Sequence, residues 1–332
     1  MGVLFGKEPI KILLGRQYVD AILFLEYNVI TIMNNIDKVL DLFAGCGGMT
    51  AGFTNAGFDV VAAVDNWQPA IDVYKNNFKH EIFNVDIANI NKVLDIIHKF
   101  KIQTIIGGPP CQDFSHAGKR KEGKRANLTV IFANIVKLSK PHLFVMENVD
   151  RIKSSKSYAE ARKILKFSGY GITEIVINAC YAGVPQNRKR FFSIGMLGEN
   201  DSFLENKLND NLSEKPLTIR QYLNGTLKFD YFYRHPRNYN RRGIFSVDEP
   251  SPTIRGVNRP LPPGYHGHKN DPVNPSENIR SLTTFERARI QTFPEDYQWT
   301  GTKTNLEQMI GNAVPVKLAE FVANSIIEFF GE

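Results

Sequence analysis

At 332 residues with 42% hydrophobic content, the chain reads as globular and is long enough for one large domain plus a small second one. Lys+Arg of 41 against Asp+Glu of 34 leaves a formal charge of +7, an excess that suggests a polyanionic partner only where it clusters. Cys46, Cys111 and Cys180 are too few and too scattered for a disulfide framework or a C-x-x-C zinc site, so a reducing, cytoplasmic setting and no bound metal are expected.

Residues 1–36 read as one or two weakly amphipathic helices, either an additional arm or an over-long start. Their most apolar stretch, YVDAILFLEYNVITIM, carries Asp20 and Glu26 and fits neither a signal peptide nor a membrane span. From Lys38 short apolar runs alternate with helical ones: KVLDLF, MTAGFTNAG, DVVAAVD, PAIDVYKNNF, a third strand ending at Asp86, then TIIGG, TVIFANIVKLS and LFVMEN. GITEIVINA and RFFSIGML add further strands. This repeat predicts an α/β fold, a doubly wound and mostly parallel sheet covered on both faces. Regularity fails after Leu197, and residues 198–279, rich in Asn, Pro, Arg and aromatics, read as a small inserted module. Helical periodicity returns in LTTFERARIQTF and PVKLAEFVANSIIEFF, so residues 280–332 are expected to pack back on the domain formed by 37–197.

Gly45, Gly47 and Gly48 sit where the first strand turns into a helix, a place where glycine permits a tight turn and close approach of a ligand. Such turns also serve packing alone. Asp65, ending the second strand, can accept both hydroxyls of a ribose, and Asp86 can accept from an exocyclic amine, although an Asp at a strand end more commonly caps the next helix. Cys111 stands apart from Cys46 and Cys180, which read as small buried packing residues. Pro109 and Pro110 fix its approach, and Lys119, Arg120, Lys121, Lys124 and Arg125 follow, a positive setting that favours the nucleophilic thiolate. Glu147 ends an apolar strand, so burial would raise its pKa; it is either an acid at the same sheet edge or a helix cap.

DLFAGCGG, GGPPCQDFS, MENV, QNRKR, EPSPTIR, RSLTTFERARIQTFPEDYQ and GNAVPVKLAEFVA stand in the order found in the DNA (cytosine-5)-methyltransferases, and the chain resembles that family over nearly everything from Lys38 except the inserted module. The resemblance implies a Rossmann-like S-adenosyl-L-methionine-dependent methyltransferase. In it Cys111 attacks C6 of cytosine, Glu147 meets the N3 and amino edge, and Arg188 and Arg190 orient the base carbonyl or support the catalytic loop. A phosphate contact or a salt bridge to Glu147 is the plainer role for the arginines. The matching cofactor positions are Phe43, Gly45, Gly47, Gly48, Asp65, Asp86, Ile87, Pro109 and Asn312. Where the family places an aromatic residue directly after the ribose acid, this chain has Asn66 and then Trp67, leaving both as candidates to meet adenine.

A cytosine stacked in a duplex hides C5 and C6, so double-stranded DNA as substrate implies rotating the base into a pocket. Gly118 and Gly123 would hinge the basic loop closing over it. Residues 215–242, with seven Lys or Arg, one Asp and six aromatics, correspond to the family's target-recognition region. A prokaryotic restriction or modification type is expected, with a cognate endonuclease sharing the site without a stable complex, and a monomeric enzyme. Three rival readings exist: a tRNA-methylating branch of the same family, whose CFT signature is absent; a nicotinamide-dependent oxidoreductase, which leaves Cys111 and Glu147 unexplained; and a non-catalytic DNA-binding module.

Overall fold

The structure, a computed structural model, describes residues 38–110, 128–236, 238, 240–275 and 278–331. Its centre is a seven-stranded sheet of order β3-β2-β1-β4-β5-β8-β6. The strands are β1 (Lys38–Leu42), β2 (Asp59–Asp65), β3 (Glu81–Asn84), β4 (Thr104–Gly107), β5 (Leu143–Val149), β6 (Tyr170–Asn178) and β8 (Lys189–Leu197). The first five pair in parallel, whereas β8 runs antiparallel between β5 and β6. The expected doubly wound, mostly parallel sheet is present.

Side chains alternate across the strands, so neighbours such as Val39 and Leu40, or Phe144 and Val145, enter opposite cores. One face is covered by α1 (Gly48–Ala56), α6 (Glu205–Asp210) and α10 (Val316–Phe330), which bury Phe53, Leu208, Leu318 and Val322. The other carries α3 (Ile90–Phe100), α4 (Leu128–Ser139) and α5 (Lys156–Phe167), burying Val93, Phe132 and Leu165. α2 (Gln68–Asn77) lays Ile71 and Tyr74 on Ala63 and Ile82.

The loss of periodicity after Leu197 places the start of the small module at residue 198, yet Leu204 and Leu208 are fully buried in the first core beside Ile177 and Leu318. The irregular segment that follows holds α7 (Ile219–Leu223), the hairpin β9 (Tyr231–Tyr233) with β10 (Ile244–Ser246), and β11 (Ser251–Pro252), which pairs in parallel with β7 (Gln186–Asn187). Ile219, Leu223 and Phe232 share a cluster with Ala51 and Val73 of the large domain and with Ile290 and Ile310 of α8 (Thr284–Ile290) and α9 (Lys303–Asn312). Tyr233, Ile244, Tyr265 and Ile279 form a small core of their own.

Candidate active site

The chain winds from β1 outward to β3 in one direction and from β4 to β5 in the other, so a crevice opens between the C-terminal ends of β1 and β4, where open α/β sheets bind ligands. A cavity of about 400 Å³ lies there. It brings together Phe43, Gly45, Gly48, Asp65, Asn66, Trp67, Pro109, Glu147, Arg188, Arg190 and Asn312, residues contributed by six separate stretches of sequence. Pro110 also lines it; Cys111 and the cationic residues 119–125 lie outside the described residues.

The glycine turn is shaped by its backbone. Phe43, Gly45 and Gly47 have φ of 61°, 56° and 88°, and Gly47 caps α1 in the left-handed region, where glycine carries little strain. Gly47 does not line the cavity; a Cβ there would lie 2.3 Å from the Phe78 ring. Asp65 fastens the turn, accepting the Gly45 N–H at 2.8 Å on Oδ2 and the Trp67 N–H at 2.8 Å on Oδ1. Burial raises its pKa while these amides oppose the rise, and a carboxylate keeps further lone pairs for a ligand.

Asp41, which the sequence reading passed over, is buried within β1 and also lines the cavity. Its Oδ2 accepts from the Thr50 hydroxyl at 2.7 Å and the Thr50 N–H at 3.1 Å, anchoring the first turn of α1. Burial pushes its pKa up to about 7 against those bonds. An acid inside an apolar strand, nine residues before a threonine, was the signal available for it.

Glu147 and Arg190 meet at the end of β5. Because β8 runs antiparallel, Arg190 enters opposite Val149, and its Nε lies 2.8 Å from Glu147 Oε1. Burial raises the Glu147 pKa, opposed by Arg190 and then Arg188. The plainer role named for Arg190, the salt bridge, is the contact observed. Arg188 is buried and donates to the carbonyls of Ile254, Gly311 and Ala313 at 3.0–3.1 Å, tying the turn between β7 and β8 to the segment after β11 and to the end of α9. Asn148, also missed, donates through Nδ2 to the Pro109 carbonyl at 2.8 Å and so holds the proline turn leading to residue 111. Gln186 and Gln291 form a second buried link, 2.7 Å apart, between the QNRKR and C-terminal motifs.

Asp86 and Ile87 are not in this cavity. β3 ends at Asn84, the exposed Asp86 accepts the Ala88 N–H at 3.0 Å on Oδ1, and Ile87 is buried under α3. Cys46 is buried, and burial pushes its thiol up to about 12, an inert form. No helix among the described residues is long and apolar enough to cross a membrane, and no cluster of His, Cys, Asp and Glu among them could hold a metal.

The profile of the C-5 cytosine-specific DNA methylase family matches residues 38–328. The chain is 54% identical over 294 residues to the Type II methyltransferase M.HindV of Haemophilus influenzae, covering 88% of this chain and 97% of that one. It is 52% identical over 296 residues to the Type II methyltransferase M.HgiDI of Herpetosiphon aurantiacus, covering 89% and 96%. The solved structure of the S. pombe Dnmt2 methyltransferase superposes with a TM-score of 0.64 at 19% identity, over 88% of this chain and 98% of that one, a likeness of fold. With its profile matched across the sheet, the cavity and the C-terminal return, the chain belongs to the C-5 cytosine-specific DNA methylase family and is a DNA cytosine-5 methyltransferase.

Proposed function

We propose that the cavity binds S-adenosyl-L-methionine beside a cytosine rotated out of duplex DNA, and that Cys111 is the nucleophile. The residues present fit a cationic nucleoside. Asp65 sets a carboxyl group and Asp41 a second, more easily protonated one on a cavity also lined by Phe43 and Trp67, and no atom lies within 4 Å of where a Gly45 Cβ would stand. Asp65 would accept the ribose hydroxyls, Asn66 or Trp67 with Phe43 would flank the adenine, and Pro109 and Asn312 would border the methionine part. When bound, the cofactor supplies an electrophilic methyl group.

The chain's own residues prepare the base. Cys111 adds through Sγ to C6, and the electron pair of the C5–C6 double bond shifts to C5, making it nucleophilic. Glu147, steadied by Arg190, meets the N3 and amino edge and stabilises the charge that moves into the ring. After C5 is methylated, removal of its proton and departure of Sγ restore the double bond and release 5-methylcytosine. The observation that carries this reading is the buried Glu147–Arg190 pair set against Gly108 and Pro109, immediately ahead of Cys111.

The near full-length similarity to two Type II methyltransferases supports a restriction-modification role; a cognate endonuclease acting independently on the same site and a monomeric enzyme complete the proposal. Residues 215–242 supply target recognition. The test is transfer of labelled methyl from S-adenosyl-L-methionine to duplex DNA and to tRNA by the full chain and by Cys111→Ala. Label is expected in DNA alone and only with the unaltered chain; label in tRNA instead would overturn the substrate assignment.

A further inference from the structure

A chain of hydrogen bonds leaves the active-site cavity on the side of α1. Asp41, which lines the cavity, accepts the Thr50 hydroxyl on Oδ2 at 2.7 Å. Thr50 Oγ lies 2.9 Å from the Tyr74 hydroxyl, and that hydroxyl lies 2.6 Å from His80 Nε2. Asp41, Thr50 and Tyr74 are buried, whereas His80, in the turn between α2 and β3, is half-buried. Four side chains from β1, α1, α2 and that turn therefore join the wall of the cavity to an imidazole at the solvent boundary.

The two hydroxyls in the middle each carry one proton, so they can donate in only one direction at a time. With Asp41 protonated, the acid donates to Thr50, Thr50 to Tyr74, and Tyr74 to the lone pair of His80 Nε2, whose ring hydrogen then sits on Nδ1. With Asp41 ionised every bond reverses: Nε2–H donates to Tyr74, Tyr74 to Thr50, and Thr50 to the carboxylate. Passing from the first state to the second shifts three protons by one hydrogen bond each. The net result is one proton moved from Oδ2 to Nε2, and the ring becomes neutral again by releasing its Nδ1 proton to solvent.

The surroundings suit such an exchange. Burial, then the field of Asp65, pushes the Asp41 pKa up to about 7 against the two Thr50 bonds. Burial lowers the His80 pKa and the field of Asp59 opposes the fall; Lys79 and Glu81, which flank His80 in the chain, are exposed. Burial, then the field of Asp41, holds Tyr74 well above its ordinary range, so its hydroxyl hands a proton on without ionising. Tyr297, which feels Tyr74, is likewise kept protonated by burial.

We propose that Thr50, Tyr74 and His80 form a proton relay through which Asp41 gives up its proton when the cavity takes a cationic cofactor and regains it when that charge is gone. The inference rests on the reading of the cavity as the S-adenosyl-L-methionine site. The cofactor carries a sulfonium charge that methyl transfer removes, leaving the neutral thioether of S-adenosyl-L-homocysteine. A carboxylate at Asp41 favours the former and a neutral acid tolerates the latter. Thr50, Tyr74 and His80 are thus positioning residues that act through Asp41. In a purely structural role Tyr74 would only brace Thr50, and its loss would weaken both ligands equally.

The experiment records ring-nitrogen NMR of the full chain with labelled histidine at pH 6.5, free, with S-adenosyl-L-methionine and with S-adenosyl-L-homocysteine, the His80 signals being assigned with His80→Gln. His98, exposed on α3 and outside the cavity, serves as the internal reference. His80 Nε2 is expected to be unprotonated in the free and homocysteine forms and protonated in the methionine form, while His98 does not change. Calorimetric titration from pH 5 to 8 supplies a second readout: affinity for the methionine form relative to the homocysteine form should rise by up to about 10-fold per pH unit as Asp41 ionises. In Tyr74→Phe the donor behind Thr50 is gone, so that rise should move to higher pH and the His80 response should vanish. A His80 ring indifferent to the cofactor, or changed equally by both ligands, would overturn the relay while cofactor binding stands. Failure of the unaltered chain to bind either ligand would instead overturn the underlying reading of the cavity.

Discussion

Asn148 Nδ2 lies 2.8 Å from the Pro109 carbonyl, a buried bond joining the end of β5 to the turn that presents residue 111. Its own Oδ1 accepts the Val149 N–H at 2.8 Å, so the side chain is fixed at both ends. Asn148→Ala leaves the Pro109 carbonyl without this donor, at a stability cost of about 1–3 kcal/mol. Methyl transfer should fall more than melting temperature predicts, with kcat reduced and KM for the cofactor little changed. Steady-state kinetics beside thermal denaturation separates the two effects.

Glu147 and Arg190 should respond unequally to substitution. Glu147→Gln keeps shape and removes charge, so kcat is expected to drop about 100-fold or more with the fold intact. Arg190→Ala leaves a buried carboxylate without its partner, which costs about 3–5 kcal/mol and raises the Glu147 pKa further, since burial is then less opposed. Thermal unfolding and single-turnover rates on both variants check this.

The glycines of the first turn differ in what a side chain would meet. A Cβ at Gly48 would stand 2.2 Å from the Val314 carbonyl oxygen, a main-chain atom that cannot swing away. At Gly45 nothing lies within 4 Å, and only the positive φ of 56° resists, worth about 1 kcal/mol. Gly48→Ala should therefore lose much more cofactor affinity and stability than Gly45→Ala, measured by calorimetric titration and melting.

Asp41 gives a pH dependence with a definite sign. Its ordinary pKa of 3.8 is raised in the fold to about 7, so the native state holds a proton that the unfolded chain has lost. Its contribution to stability is fully present below pH 3.8 and is lost as pH rises to about 7, with a limiting slope of about 1.4 kcal/mol per pH unit. Asp41→Asn keeps an acceptor for Thr50 and removes the proton, so the difference in stability between the two proteins should change over this window and level off above it. Urea denaturation at pH 5, 6, 7 and 8 reads that difference.

Much of this was legible in the sequence because the signals are local. Alternating strand and helix patterns foretold the sheet; Gly45, Asp65 and Glu147 stand out by their positions at strand ends, Pro109 and Arg190 through the family resemblance, and all five line one cavity. What was missed depends on pairings distant in the chain. The insertion of β8 antiparallel between β5 and β6 follows from register that periodicity does not encode. The carbonyl acceptors of Arg188 come from two segments far along the sequence, and Leu204 and Leu208 join the main core beside Ile177 of β6 and Leu318 of α10. Asp86 carries the same local pattern, an acid near a strand end, and its Oδ1 accepts the Ala88 N–H without lining the cavity.

The most direct test of the mechanism is covalent capture on phage DNA synthesised with 5-fluorocytosine in place of cytosine. Fluorine at C5 cannot be removed as a proton, so the bond between Sγ and C6 would persist after methylation. The unaltered chain, given S-adenosyl-L-methionine, is predicted to form a denaturant-stable adduct whose DNA-linked peptide carries Cys111, and Cys111→Ala is predicted to form none. Active enzyme that yields no such adduct, or an adduct that survives in Cys111→Ala, would contradict the account.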